Sequence, residues 1–127
     1  MNTEDLDATT VELSVDGAVY KIVMPDMASD YIQNRVATEL EPYELEMLRD
    51  MKSHLSATDL VLDIGANIGN HTFYLAEVVG CKVVAFEPNE SLVAAMQQSV
   101  QLNNNSNRVV IESCALGEES NICEFEK

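Results

Sequence analysis

The stretch Asp63-Ile64-Gly65-Ala66-Asn67-Ile68-Gly69-Asn70-His71-Thr72 constrains this chain more than any other, because it joins a short apolar run to a glycine-bearing turn and then to an amphipathic segment. Leu60, Val61, Leu62 and Ile64 make a run of the length of a buried parallel strand. Phe73, Leu75, Ala76, Val78 and Val79 give the following helix its apolar face. Gly65 and Gly69 carry no Cβ, so the backbone can bend sharply there and come close to a bound molecule, with the free N–H groups of the helix start aimed at it. The unit is strand, tight turn, helix, and its turn is where a ligand would sit.

The alternation of strand and helix continues downstream and predicts a parallel sheet with right-handed crossovers. Strands are expected over 60–64, 82–87 and 108–113, linked by helices over 70–79 and 91–102. The second helix carries Leu92, Val93, Met96 and Val100 as its buried stripe. A polar loop follows at 103–107, and beyond Leu116-Gly117 residues 120–126 suit a fourth, short strand containing Ile122 and Phe125. Upstream, Val11, Leu13 and Val15 alternate with polar residues, Asp16-Gly17 is a two-residue turn, and Val19, Ile22 and Val23 resume the apolar pattern. This predicts a β-hairpin. Asp30 can cap a helix through about Leu40 with Ile32 and Val36 on one face. Glu41-Pro42 opens the next helix, whose Leu45, Leu48, Met51 or Lys52, and Leu55 should cover the sheet.

The turn narrows the choice of ligand. A dinucleotide fold carries Gly-x-Gly-x-x-Gly, whereas Gly65, Asn67 and Asn70 stand at those three places here, so a nicotinamide cofactor has weak support. Asp-x-Gly-x-Asn-x-Gly, followed one helix later by a strand ending in Phe86-Glu87-Pro88-Asn89, resembles the first two motifs of class I S-adenosylmethionine-dependent methyltransferases. The strings DIGANIG and FEPN are similar to those of the FkbM-type methyltransferases, which mostly methylate hydroxyl groups of sugars and secondary metabolites. The resemblance runs from about Tyr43 almost to the C-terminus and is silent on the substrate.

The resemblance implies an α/β fold, the first three strands of a Rossmann-like sheet. Residues 41–127 would form a cofactor-binding half domain, preceded by a hairpin-and-helix extension over 1–40. S-adenosylmethionine is the implied cofactor, and a small molecule or glycan the implied acceptor. Ligands of open α/β sheets bind beyond the carboxyl ends of the strands. Glu87 falls there and is placed to accept hydrogen bonds from both ribose hydroxyls, with Pro88 and Asn89 completing its motif. Asp63 can orient the turn by accepting N–H bonds, or meet the positive side of the cofactor; both roles need its charge. Ala66, Asn67, Asn70, His71 and Thr72 line the turn and helix start, where donors can hold the methionine carboxylate, although helix capping explains Asn70 and Thr72 as well. Ala115 and Leu116 resemble the loop that meets the adenine ring, and Tyr43-Glu44 an upstream pair bordering the pocket. A lone histidine at a helix start is disfavoured as a cation, so His71 is expected as a neutral hydrogen-bonding group, and His54 as helix surface. No metal-ligand spacing is present.

The family usually continues through further strands, with an acidic Asp-x-Glu-Gly block that this sequence lacks. Neither an acceptor site nor a catalytic base is therefore readable. The expectation is a truncated donor-binding half whose first strand, central in this class, is shielded by the hairpin, by self-association or by exchange of elements. A remnant or interaction module that keeps the fold without turnover is the alternative.

Composition sets outer limits. A stretch of 127 residues, 46% hydrophobic, can form one core, and a second domain within it is not expected. Asp and Glu number 22 against 7 Lys and Arg, a formal charge of −15, and such a surface repels phosphate backbones and acidic membranes. Neither nucleic acid nor a membrane is expected as a partner. Cys81, Cys114 and Cys123 are odd in number and lack C-x-x-C spacing, so buried thiols in a reducing compartment are expected. The polar N-terminus has no basic start or apolar centre of a secretory signal, which makes the cytoplasm the expected address.

Overall fold

A computed structural model describes residues 10–117. The expected strand at 120–126 and Cys123 lie outside the described residues. The described residues open with an antiparallel hairpin, β1 (Thr10–Val15) and β2 (Ala18–Val23), in which Val15 stands opposite Ala18. Asp16 and Gly17 both take positive φ, 48° and 86°, the backbone that lets a two-residue turn match the twist of its strands. Leu13, Tyr20 and Ile22 are fully buried, while Val19 faces solvent because Tyr20 and Ile22 set the inward parity of β2.

Helix α1 (Tyr31–Glu39) starts where its cap predicts: Asp30 Oδ2 accepts from Gln33 N at 2.9 Å. Helix α2 (Leu45–His54) starts beyond Pro42 rather than at it, because the main chain of Tyr43 is bonded elsewhere and Glu44 sits at φ 60°. Its Leu48 is fully buried, and the helix packs on the segment Leu75–Val79.

The second half alternates β3 (Leu60–Ile64), α3 (Asn70–Tyr74), β4 (Lys82–Phe86), α4 (Glu90–Asn103) and β5 (Val109–Glu112). The three strands are parallel in the order β3-β4-β5, with Asp63 beside Ala85 and Ala85 beside Ile111. What reads as one helix over 70–79 changes pitch, since Leu75–Val79 is π-helical and closes on Gly80, whose N–H reaches Leu75 O at 3.0 Å. Val83, Ala85 and Val109 turn inward to meet Phe73, Leu75, Met96 and Val100 in one core. Cys81 is buried there, its thiol pushed up by burial, and Cys114 is half-buried.

Two expectations fail at the sheet. Strand β3 is not buried on both faces: Leu60, Leu62 and Ile64 are 64%, 54% and 62% exposed, because the described helices all lie on the other face. Nor does the hairpin shield β3. It docks instead on α4, where Ser99 Oγ accepts from Val23 N at 2.8 Å and the Asn103 amide bonds both Lys21 N and Lys21 O, at 2.8 and 2.7 Å. Among the described residues, no helix is long and apolar enough to cross a membrane.

Candidate functional site

The carboxyl ends of β3 and β4 are locked together by main-chain bonds from the turn: Gly65 N and Ala66 N both reach Phe86 O, at 2.8 and 3.0 Å. The turn then bends back through three left-handed residues, Gly65 at φ 76°, Asn67 at 59° and Gly69 at 91°. At Gly65 a Cβ would meet nothing within 4 Å, so this glycine serves the turn's conformation and leaves open space beside it. Gly69 has a different role. A Cβ there would stand 2.6 Å from Phe73 Cδ2, so the glycine lets the turn close onto the core ring.

Glu87 follows β4 and is only 7% exposed. Its Oε1 accepts from Asn67 N at 2.7 Å and its Oε2 from Asn89 N at 3.0 Å, so the two sequence motifs meet on one carboxylate. Each carboxylate oxygen has a second lone-pair site, which leaves acceptor capacity beyond these two bonds. Pro88 is half-buried beside it, and Asn89 caps α4 through Oδ1, which accepts from Ser91 N at 2.9 Å. Glu87 N also reaches Glu112 O at 3.1 Å, which draws the end of β5 to the same rim. Ala115 and Leu116 follow there, both exposed.

Three assignments change in detail. Asp63 Oδ2 accepts from the buried Thr72 hydroxyl at 2.6 Å, a side-chain bond that ties β3 to α3. Thr72 is thereby neither a cap nor a free donor. Asn70 is not a cap either: Gly69 occupies the cap position, and the Asn70 amide is spent on the main chain of Tyr43. His71 is half-exposed and faces Glu44 Oε1 at 3.2 Å. Tyr43 and Glu44, expected beside the pocket, line a cavity of about 330 Å³ between α1 and α2 together with Arg35, Glu39 and Met47. His54 is helix surface and bonds Asp50 O in its own helix. Among the described residues, no group of three or more His, Cys, Asp or Glu is placed to hold a metal ion. Sequence reasoning missed the links Asn70–Tyr43 and Thr72–Asp63, and no local pattern signals bonds across such separations.

These elements and their order can now be compared with known proteins. No protein-family model matches the chain, and no curated protein matches it. Solved structures do match. TYW2 from P. horikoshii, crystallised with MeSAdo, superposes with a TM-score of 0.59 at 18% identity, over 84% of this chain and 36% of that one. The complex of aTrm5 with tRNALeu gives 0.55 at 19% identity, over 81% and 27%. The tRNA (uracil-54, C5)-methyltransferase of P. abyssi, with S-adenosyl-L-homocysteine, gives 0.52 at 20%, over 82% and 23%. The fold is a partial methyltransferase Rossmann-like fold. The chain spans about a third or less of these neighbours.

The neighbours correct one expectation. Net charge argued against nucleic acid, yet this fold occurs in a complex with tRNALeu and in a tRNA methyltransferase. The charge of the whole chain is a sum that does not locate an acceptor surface, and it says nothing of polypeptide outside the matched portion. The narrower likeness to FkbM-type enzymes rests on the strings DIGANIG and FEPN alone.

Proposed function

We propose that this chain is the S-adenosylmethionine-binding portion of a methyltransferase. One observation carries the reading: the buried Glu87 carboxylate is held by Asn67 N–H from the turn and Asn89 N–H from its own motif, beside the open space at Gly65. A rigid acceptor next to a Cβ-free turn suits a nucleoside whose vicinal hydroxyls need a fixed carboxylate. Glu87 would take the ribose, the turn from Gly65 to Gly69 would approach the methionine end, and Ala115 and Leu116 would border the base. Asp63 would act indirectly, by fixing Thr72 and with it the start of α3. Bound there, S-adenosylmethionine would supply an electrophilic methyl group, and the protein's own contribution is positioning.

For the acceptor, the FkbM-like strings support a hydroxyl group of a small molecule or sugar. A second reading, an RNA acceptor, is favoured by the tRNA-bound and tRNA-modifying neighbours. Both are proposed for the protein that contains this portion. Transfer of labelled methyl into total tRNA, as opposed to a panel of free sugars, separates them.

Isothermal titration with S-adenosylhomocysteine tests the binding reading. Saturable heat is expected from the chain, with none from Glu87→Ala and a much weaker signal from Glu87→Gln. Circular dichroism melts confirm that both variants remain folded. Absence of heat from the folded chain, or full binding by Glu87→Ala, overturns the reading, and a melting shift with NADH but not with S-adenosylhomocysteine redirects it to a nicotinamide cofactor.

A further inference from the structure

Every main-chain N–H of the glycine turn, from Gly65 to Gly69, is already taken by the chain itself. Gly65 N and Ala66 N donate to Phe86 O at 2.8 and 3.0 Å, and Asn67 N donates to Glu87 Oε1 at 2.7 Å. Ile68 N donates to Asn67 Oδ1 and Gly69 N to Ala66 O, both at 2.9 Å. Successive N–H groups in a turn with left-handed residues form a concavity suited to an anion, and glycine turns that bind nucleotides present it to a phosphate. Here the anion is the protein's own Glu87 carboxylate. Asn67 contributes twice: its left-handed backbone, at φ 59°, carries the N–H that Glu87 accepts, and its side-chain oxygen satisfies the next N–H in the row.

Charge at the same rim acts in the same direction. Asp63, near the end of β3, and Glu87, just past β4, are 9% and 7% exposed, so both carboxylates are largely shielded from water. Lys82 opens β4 and Arg108 directly precedes β5, which puts these two basic residues at the opposite end of the sheet. A phosphate brought to the turn would lose water, meet no free turn N–H and face two carboxylates.

We propose that Glu87 and Asn67 are specificity-determining residues that close this turn to phosphate, so that the site takes a nucleoside whose 5′ substituent carries none. The proposal rests on the reading of the turn as a nucleoside site. S-adenosylmethionine meets the condition, its 5′ carbon being bonded to sulfur, whereas nucleotides and dinucleotides do not. One carboxylate then acts in two ways, accepting from the ribose and occupying a donor that a phosphate would need.

Adenosine and adenosine 5′-phosphate differ only by the phosphate, and calorimetric titration of the chain with each is the primary test. Adenosine should bind more tightly by about tenfold or more. The preference should persist in about 1 M salt, where screening over about 3 Å removes the general repulsion of an acidic chain. Equal or tighter binding of the phosphate, or a preference that disappears in high salt, overturns the proposal. If neither compound binds, the nucleoside reading fails, and the closure of the turn is decided by its amides. In the unmodified chain the amides of Asn67 and Ile68 should exchange slowly and keep their resonances when pyrophosphate is added. Glu87→Ala frees Asn67 N, and Asn67→Gly keeps the left-handed backbone while freeing Ile68 N. Pyrophosphate should move the freed amide in each variant, with circular dichroism checking the fold. Fast exchange in the unmodified chain overturns the proposal. So do pyrophosphate shifts of equal size in all three proteins, or none in either variant, since these residues would then not be what keeps phosphate out.

Discussion

The side-chain amide of Asn70 grips the main chain of Tyr43 from both sides: Oδ1 accepts from Tyr43 N at 2.8 Å, and Nδ2 donates to Tyr43 O at 2.8 Å. An amide is the one side-chain group that can offer a donor and an acceptor in the pattern of a neighbouring peptide. Here it stands in for a strand partner, welding the segment before α2 to the first residue of α3. Asn70 is 5% exposed, so water does not replace it. Asn70→Ala is expected to destabilise the fold by about 1–3 kcal/mol, the cost of leaving partly buried main-chain groups unpaired. Urea unfolding measures it, and an unchanged midpoint would mean that the clamp contributes nothing.

Gly69 and Gly65 are both left-handed, yet the two should respond differently to alanine. At Gly65 only the backbone conformation opposes a Cβ, at about 1–2 kcal/mol. At Gly69 the same term is joined by a collision with the Phe73 ring, which is fully buried and has no free direction to move. Gly69→Ala should therefore lower the melting temperature clearly more than Gly65→Ala. Equal shifts would show that the ring relocates without penalty.

Local chemistry explains why much of this fold was legible. Asp16-Gly17 takes the left-handed pair that its composition suits, Asp30 caps α1, and strand β3 has the expected bounds. That Glu87 and the glycine turn share one rim also followed from motif spacing, because strand ends in a parallel sheet converge there, whereas the bond from Asn67 N to Glu87 did not. What stayed hidden depended on partners distant in sequence. Pro42 looked like a helix start until the Asn70 amide, 27 residues away, claimed Tyr43. The exposure of Leu60, Leu62 and Ile64 could not be read from an apolar run, since the run is the same whether one face is covered or two. The hairpin's docking on α4 is likewise set by Ser99 and Asn103, polar residues in a helix otherwise read for its apolar stripe.

Asp16 links the hairpin turn to two helices, accepting from Arg49 at 2.9 Å and from the Tyr74 hydroxyl at 2.7 Å. The Arg49 hydrogen bond first, and then that of Tyr74, hold its carboxyl below the usual value of 3.8. A carboxylate whose pKa is lower in the folded state contributes stability that is full above its unfolded value and is lost as pH falls through the folded one. The unmodified chain should therefore lose stability on acidification below about pH 4 more steeply than Asp16→Asn. Arg49 is half-exposed, which keeps the pair's contribution small at neutral pH. Parallel acid-unfolding curves would refute the link.

The same contact acts with opposite sign at alkaline pH. Burial, and then the hydrogen bond donated to Asp16, push the Tyr74 hydroxyl from 10.0 up to about 12. An acid whose pKa is raised in the folded state contributes stability that is full below its unfolded value and is lost as pH rises through the folded one. Ionisation of Tyr74 would remove the proton it donates and set a phenolate against the Asp16 carboxylate. The tie between the hairpin turn and α3 should then weaken between about pH 10 and 12. Tyr74→Phe abolishes this titration. Its cost at pH 7 is about 1 kcal/mol for the lost hydrogen bond, and its stability should stay flatter over that alkaline range. Melting temperatures of both proteins at stepped alkaline pH provide the check, with phenolate absorbance reporting the ionisation. A Tyr74→Phe protein that loses stability over the same interval as steeply as the parent would show that another group, and not the Tyr74–Asp16 contact, governs the alkaline transition.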